Sequence, residues 1–328
     1  MRVKIGSSHS NAFSNESGVP QGSNLGPLLF SIYVNDVSLL LPLGCRLFYA
    51  DDTKLFNTIC CPLDCLKLQE MLNVFVDWCA KNLLTLSVEK CNVISFNRKS
   101  LPITFDYHIN GHCLQRIYSA KDLGVTLDHK LTFRVHYNDV IAKANRQLGF
   151  IFKIANEFRD PLCLKSLYCA LVRSILETNV VVWCPFHANW IARIEAVQHK
   201  FVRYALRFLR WQDPLNLPPY EDRCRLLSLE TLEHRRTVTQ AVFAANILTG
   251  NIDCPSILSE LNLYAPERPL RQRDFLFLEQ RNREYGLHEP IRALCQRFNE
   301  FFEHFDFNIP THIFRRQILD LFRTANNM

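Results

Sequence analysis

The sequence predicts an α+β chain, with short strands and helices mixed at the front and helices alone behind. Three observations lead there. Brief β-prone runs bounded by turn formers, at 47–50, 53–56, 92–96 and on either side of Asn110-Gly111, all fall before residue 129. Past Leu131 the apolar residues recur at three- and four-residue spacing instead. Finally, 328 residues at 48% hydrophobic content, with only 10 Gly, can bury a large core, enough for about two or three abutting domains. The expected organisation is a mixed segment at 1–128, a helical segment at 129–236 and a further helical region at 237–328.

Gly18-Val19-Pro20-Gln21-Gly22-Ser23 is a run of turn formers, and Leu25, Leu28, Leu29, Ile32 and Tyr33 follow it at helical spacing. A loop should therefore feed a buried helix capped by Ser23 or Asn24, with Pro27 in its first turn. The runs at 47–50 and 53–56 read as a hairpin with Asp51 and Asp52 at its bend, partly exposed and facing a cavity. A helix should start near Pro62, because Leu68, Met71, Leu72, Phe75, Val76 and Cys79 share one face. It should end near Asn82, ahead of strands at 83–86 and 92–96. Asn110-Gly111 between extended runs signals a type I′ hairpin, after which 122–128 continues in extended form.

Helices dominate from there. Ile141, Ala144, Leu148, Ile151, Phe152 and Ala155 make one apolar stripe. Leu164, Leu167, Tyr168, Leu171, Val172 and Ile175 make another, behind an Asp160 cap and Pro161 at the first helical position. A third helix over 187–209 puts Ile194, Val197, Phe201, Ala205 and Phe208 on one side. Opposite them Arg193, Lys200, Arg203, Arg207 and Arg210 fall within roughly a third of the circumference. Further helices are expected near 221–248, 290–305 and 313–322.

The net charge of +6 is unevenly spread. Residues 130–210 hold 13 Lys/Arg against 5 Asp/Glu, a net of +8, so the rest of the chain carries −2. A basic middle segment points to an anionic partner, although a solvated cationic face is the plainer reading of the same residues. The 13 cysteines lack the paired spacing of zinc ribbons and read as buried thiols of an intracellular protein. Residues 1–10 hold no signal-peptide core, and no apolar run is long enough to span a bilayer, so no membrane partner is expected.

Asp51 and Asp52 are the sharpest chemical feature. Adjacent carboxylates on a rigid bend suit hard cations such as Mg2+, which phosphoryl transfer to a hydroxyl uses in pairs. An Asp-Asp pair by itself reads more readily as a solvated turn. Its surroundings decide the matter: Phe48-Tyr49-Ala50-Asp51-Asp52, together with Gly18 to Ser23 before it, resembles motifs C and B of the reverse-transcriptase family. Trp78, Asn82, Leu83, Leu86 and Lys90, with Ile94 and Phe96, resemble motif D, with Ser87 where such sequences usually carry Asn. Leu123-Gly124-Val125 with Leu127-Asp128 is similar to the primer-grip region. Lys143-Ala144, Leu148-Gly149, Leu167-Tyr168, Leu171 to Ser174, Val182-Trp183 and Ile194 to Gln198 resemble the thumb of jockey-like non-LTR retrotransposon enzymes.

The resemblance implies a partial right-hand polymerase palm over 1–128, a thumb over 129–236 and a C-terminal helical region. It implies Asp51 and Asp52 as ligands of a two-ion Mg2+ site and Lys90 near an incoming deoxynucleoside triphosphate. Pro20, Gln21, Gly22, Ser23, Tyr49 and Ala50 would line the nucleotide pocket, where an amide such as Gln21 can pair with a base or sugar and a glycine at 22 admits close backbone approach. Lys143, Arg146, Lys153, Arg193, Lys200, Arg203, Arg207 and Arg210 would hold an RNA template and DNA primer. The family's first metal-binding aspartate lies on a strand before motif B, and of the 17 residues ahead of Gly18 only Glu16 is acidic. The chain is accordingly expected to lack fingers and one carboxylate corner, and to be inactive alone. The competing expectation is a non-catalytic remnant that still binds nucleic acid through its basic helices.

Overall fold

A computed structural model describes residues 2–12, 18–19, 22–42, 44–98, 102–158, 160–209, 217–265 and 274–325. The chain divides into two compact units, Met1–Ala120 and Lys121–Met328. Helices and small two-stranded sheets mix in the first; the second is helical behind one hairpin.

In the first unit β1 (Lys4–Ile5) pairs with β2 (Ser8–His9), and α1 (Gly26–Val34) and α2 (Val37–Leu40) follow. β3 (Arg46–Tyr49) and β4 (Asp52–Leu55) form the expected hairpin, with Phe48 opposite Thr53 and Tyr49 opposite Asp52. Strand alternation turns Phe48 inward, where its ring lies 6.4 Å from Phe75 of α3 (Pro62–Lys81). Met71, Phe75, Trp78 and Cys79 of α3 pack with Val37 and Leu41 into one apolar cluster. At the start of α3 the Asp64 carboxylate accepts from Cys60 N–H at 3.0 Å and Cys61 N–H at 3.1 Å. The Cys60 bond, then those of Cys61 and Lys67, hold its pKa at about 2.

The strand expected at 83–86 does not form. α3 ends instead in a Schellman turn: Leu84 N–H donates to Cys79 C=O at 2.8 Å, and Leu83 N–H to Ala80 C=O at 3.2 Å. That turn forces Leu83 to φ +57°, a conformation glycine usually supplies, and leaves its side chain 93% exposed. Beyond it β5 (Asn92–Ile94) pairs in parallel with β8 (Gln115–Ile117), and β6 (His108–Ile109) meets β7 (His112–Cys113). Asn110 at φ +49° and Gly111 at φ +79° make that second hairpin the type I′ turn expected.

α1 departs from expectation in two ways. Leu25, not Ser23 or Asn24, sits at its N-cap, while Ser23 Oγ accepts from Leu25 N–H at 3.3 Å. Its apolar residues are not buried either: Leu25, Leu28, Leu29, Ile32 and Tyr33 are all exposed. Val34 packs against the core, and Tyr33 touches it, its ring 6.5 Å from Trp78 and its hydroxyl donating to Asn82 C=O. Periodicity reports which face is apolar, not whether anything covers it.

The second unit begins within β9 (Ser119–Asp122), which pairs with β10 (Val125–Asp128) as a hairpin where sequence suggested one continuous extended run. Leu123 at φ +44° and Gly124 at φ +88° make the bend. Asp128 ends it by accepting from Lys130, Thr132 and Phe133 N–H, which sets up α4 (Arg134–Phe158). α5 (Pro161–Tyr168) starts as expected at Asp160, whose carboxylate accepts from Leu162 N–H at 3.0 Å. A π turn at Cys169–Arg173 carries it into α6 (Ser174–Glu177). α7 (Val180–Trp183) and α8 (Ala188–Ala205) follow, the latter running on as a 3₁₀ turn over Leu206–Leu209.

α9 (Tyr220–Leu226) and α10 (Leu232–Leu248) break what the spacing read as one helix, because Ser228 takes φ +50° between them. α11 (Pro255–Leu258), α12 (Glu284–Leu287), α13 (Pro290–Asn299) and α14 (Thr311–Ala325) complete the unit. Ala144, Leu148, Ile151, Leu164, Tyr168, Val172, Ile194, Val197 and Phe201 form one core from α4, α5, the π turn and α8. Burying each large apolar side chain there contributes about 1.5–3 kcal/mol. A second core joins α10, α13 and α14 around Phe298, Phe314 and Ile318. Among the described residues no helix is long and apolar enough to cross a membrane.

Candidate functional site

The β3–β4 bend carries Asp51 and Asp52 on a short, stiff support. Pairing of Tyr49 with Asp52 leaves Ala50 and Asp51 as the two turn residues, and Ala50 takes φ +51°. Positive φ at the first turn position is the type II′ pattern, where glycine is usual; with a Cβ it costs on the order of 1 kcal/mol or more. Local strain of this kind persists where the flanking ladder over-determines it. Both carboxylates are exposed, as is Tyr49 beside them.

Neither acid lines the 730 Å³ cavity of this unit, which belongs to Gln69, Asn73, Thr104, Phe105, Asp106, His108, Asn110 and Gly111. Of the motif B-like residues, Gly22 sits at φ +81° with open space where a Cβ would stand, so backbone conformation is what a side chain there would disturb. Ser23 is held to Leu25 as described; Pro20 and Gln21 lie outside the described residues. Lys90 ends a 3₁₀ turn at Val88–Lys90, exposed, with no ion pair to Asp51 or Asp52 among the described residues. No group of three or more His, Cys, Asp or Glu side chains is gathered as a metal cage among the described residues.

The basic residues are organised by two parallel helices. Arg193 of α8 donates to Asn138 Oδ1 of α4 at 2.9 Å, and Lys200 Nζ to Asn145 Oδ1 at 2.9 Å. Further along the same seam the Phe152 and Tyr204 rings stack at 4.1 Å, and the Arg207 guanidinium lies 5.7 Å from the Tyr204 ring centre. Arg193 also covers the Trp190 indole at 4.4 Å. Lys143, Arg146 and Lys153 are exposed on α4 and Arg203 on α8; Arg210 lies outside the described residues. Sequence reasoning missed Asn138 and Asn145. Their seven-residue spacing, equal to that of Arg193 and Lys200, was the available signal.

Beneath this face the carboxylate of Glu195, buried in α8, accepts from Tyr220 Oη and from Leu232 N–H at 2.8 Å. Gln198 accepts from Tyr168 Oη at 2.9 Å and donates to Tyr220 Oη at 2.8 Å and Glu230 C=O at 2.9 Å. Burial, with the Glu195 charge second, drives the Tyr220 hydroxyl far above its ordinary pKa, so it stays a donor.

Residues 3–132 match the family model described as reverse transcriptase (RNA-dependent DNA polymerase). The chain is 37% identical over 229 residues to an RNA-directed DNA polymerase from mobile element jockey of Drosophila funebris, covering 64% of this chain and 25% of that protein. Residues 3–132 are thus similar to a reverse-transcriptase domain, and the chain to jockey-like enzymes. A probable RNA-directed DNA polymerase from transposon BS of Drosophila melanogaster is 28% identical over 238 residues, covering 67% of this chain and 26% of that protein. Another from transposon X-element of the same fly is 26% identical over 211 residues, covering 61% and 23%. The chain thus spans about a quarter of the length of the curated relatives it matches. No solved structure matches it.

Proposed function

We propose that this chain is the palm-end and thumb portion of an RNA-directed DNA polymerase of a non-LTR retrotransposon. On this reading 1–128 is partial palm, 129–236 thumb and 237–328 a C-terminal helical region. The observation that carries it is the pair Asp51 and Asp52 held exposed at a strained hairpin bend, behind a motif B-like loop turned by Gly22.

The donor set at the bend fits Mg2+ as part of a site. Two carboxylates offer hard oxygen ligands, and β-pairing fixes the peptide that bears them. Bound divalent cations supply charge stabilisation to phosphoryl transfer. The chain's own residues do the positioning: Gly22 keeps the loop open to a nucleotide, with Pro20, Gln21, Ser23, Tyr49 and Ala50 around it and Lys90 directed at the triphosphate. Lys143, Arg146, Lys153, Arg193, Lys200, Arg203, Arg207 and Arg210 follow the backbone of an RNA template and DNA primer. Phosphate neutralisation by such residues accounts for most sequence-independent affinity.

Joining the chain to a fingers and first-palm segment of a relative tests the reading through Mg2+-dependent extension of a primer on an RNA homopolymer. Extension that disappears on Asp51→Ala is expected. A folded joined protein without activity favours the second reading, a non-catalytic nucleic-acid binder. That reading draws on Arg193 and Lys200, which Asn138 and Asn145 hold ready whether or not the acids act.

A further inference from the structure

Between the starts of α4 and α8 lies a cavity of 360 Å³ lined by Arg134, His187, Asn189 and Trp190. None of these residues belongs to the polymerase-like motifs or to the basic face described above. The lining brings together guanidinium, imidazole and carboxamide groups, all carrying N–H donors, and includes no carboxylate. Arg134 is exposed and has no ion-pair partner among the described residues. Asn189 Oδ1 is taken by Trp190 N–H at 2.9 Å, which leaves its amide N–H groups as the part able to donate.

Trp190 is a wall here and not a platform for a base. It is 8% exposed, with Tyr137 5.0 Å from its ring and Arg193 4.4 Å over it. A ligand satisfied by N–H donors without stacking is an oxyanion. Glu284, 3.8 Å from His187 Nδ1, stands 72% exposed where water and salt screen it.

We infer that this cavity binds a phosphate group, with Arg134 as its principal cation and His187 and Asn189 as further donors. Arg193 and Lys200 continue from the cavity along α8, so the carrier is a nucleic-acid strand whose next phosphates meet that seam; this identity of the carrier rests on the proposed nucleic-acid reading. The bare phosphate site does not.

The test follows the NMR signals of the His187 ring and Trp190 indole in the full chain as inorganic phosphate is added. Saturable shifts are expected, weakened about tenfold or more in Arg134→Gln by loss of charge-assisted hydrogen bonds. Arg316→Gln, an exposed cation on α14, should leave them unchanged. Absent shifts, or shifts equally strong in Arg134→Gln, overturn the site. Competition then identifies the carrier: a 5′-phosphorylated oligonucleotide should displace phosphate at lower concentration than a nucleoside monophosphate, and equal potency overturns the strand as carrier. Phosphate binding in a chain that holds no oligonucleotide would sink the proposed function while leaving the site standing.

Discussion

Lys200 Nζ donates to Asn145 Oδ1 at 2.9 Å, and seven residues earlier on both helices Arg193 makes the same bond to Asn138. Each amide holds a long cationic side chain in one place before any partner arrives. Ordering such a side chain otherwise costs about 0.5–1.5 kcal/mol at the moment of binding. The double variant Asn138→Ala/Asn145→Ala should therefore bind a primer-template duplex several-fold more weakly, with an unchanged salt slope. Replacing Arg203 and Arg207 by Gln should instead flatten the slope, by about 0.9 log unit for each phosphate left without its cation. Salt-titrated binding isotherms separate the two effects, and identical slopes for both variants would count against the interface.

Primer extension by the 328-residue chain alone is expected to be undetectable with Mg2+. Two-metal transfer holds its cations roughly 3.5–4 Å apart, and neighbouring acids on one bend are poorly placed to enforce that spacing. Robust extension by the chain itself, abolished in Asp51→Ala, would show that the bend forms a sufficient site.

His136 makes the second unit sensitive to acid. The residue is 3% exposed, accepts from Thr126 N–H through Nδ1 at 3.2 Å, and sets its ring 5.0 Å from Trp183. Burial above all, then Lys143 and Lys121, push its pKa below the usual imidazole range, while Asp139 opposes them. A base with a depressed folded pKa contributes stability above its unfolded pKa of about 6.5, and that contribution is lost as pH falls toward the folded value. Urea midpoints should drop between pH 7.5 and 5, and the drop should shrink in His136→Gln. Because protonated Nδ1 can no longer accept, Thr126 amide exchange should accelerate beyond its intrinsic pH trend over the same interval. A His136→Gln protein with the full pH dependence would refute this.

Leu83→Gly should stabilise the first unit by about 0.5–1 kcal/mol, since it relieves a left-handed leucine whose side chain is almost wholly in water. Denaturant unfolding measures it directly. A destabilised variant would mean that the leucine packs in some way its exposure hides.

Gln198→Ala should cost about 2–4 kcal/mol, because it strands the buried Tyr168 hydroxyl and the Glu230 carbonyl and leaves the Tyr220 hydroxyl only its bond to Glu195. Calorimetry against Gln198→Glu, which keeps the acceptor facing Tyr168 but adds a charge beside Glu195, distinguishes lost bonds from lost volume.

Much of the local structure was legible because single residues announce it. Asp160 with Pro161 marks the start of α5, Asn110-Gly111 marks a hairpin, and the spacing of Met71, Phe75 and Cys79 marks the buried face of α3. What was missed depends on partners distant in sequence or on backbone choices a residue type disguises. Leu83, Leu123 and Ser228 take left-handed φ that their side chains disfavour, so a strand, a hairpin and a helix break were misread. The exposure of α1 needed knowledge of what packs against it. At the candidate site the acids and the cations were legible by type and pattern, whereas Asn138 and Asn145 appear only when α4 and α8 are laid side by side.

That side-by-side arrangement also sets a pitch. Seven residues of helix advance about 10.5 Å, and three nucleotides of one strand advance about 10.2 Å along a duplex axis. Arg193 and Lys200 thus stand about one such advance apart along α8, and the asparagines of α4 pin both marks of that ruler in place. A one-residue insertion between Arg193 and Lys200 would turn the later mark by about 100° away from the strand while changing neither the charge nor the composition of the face.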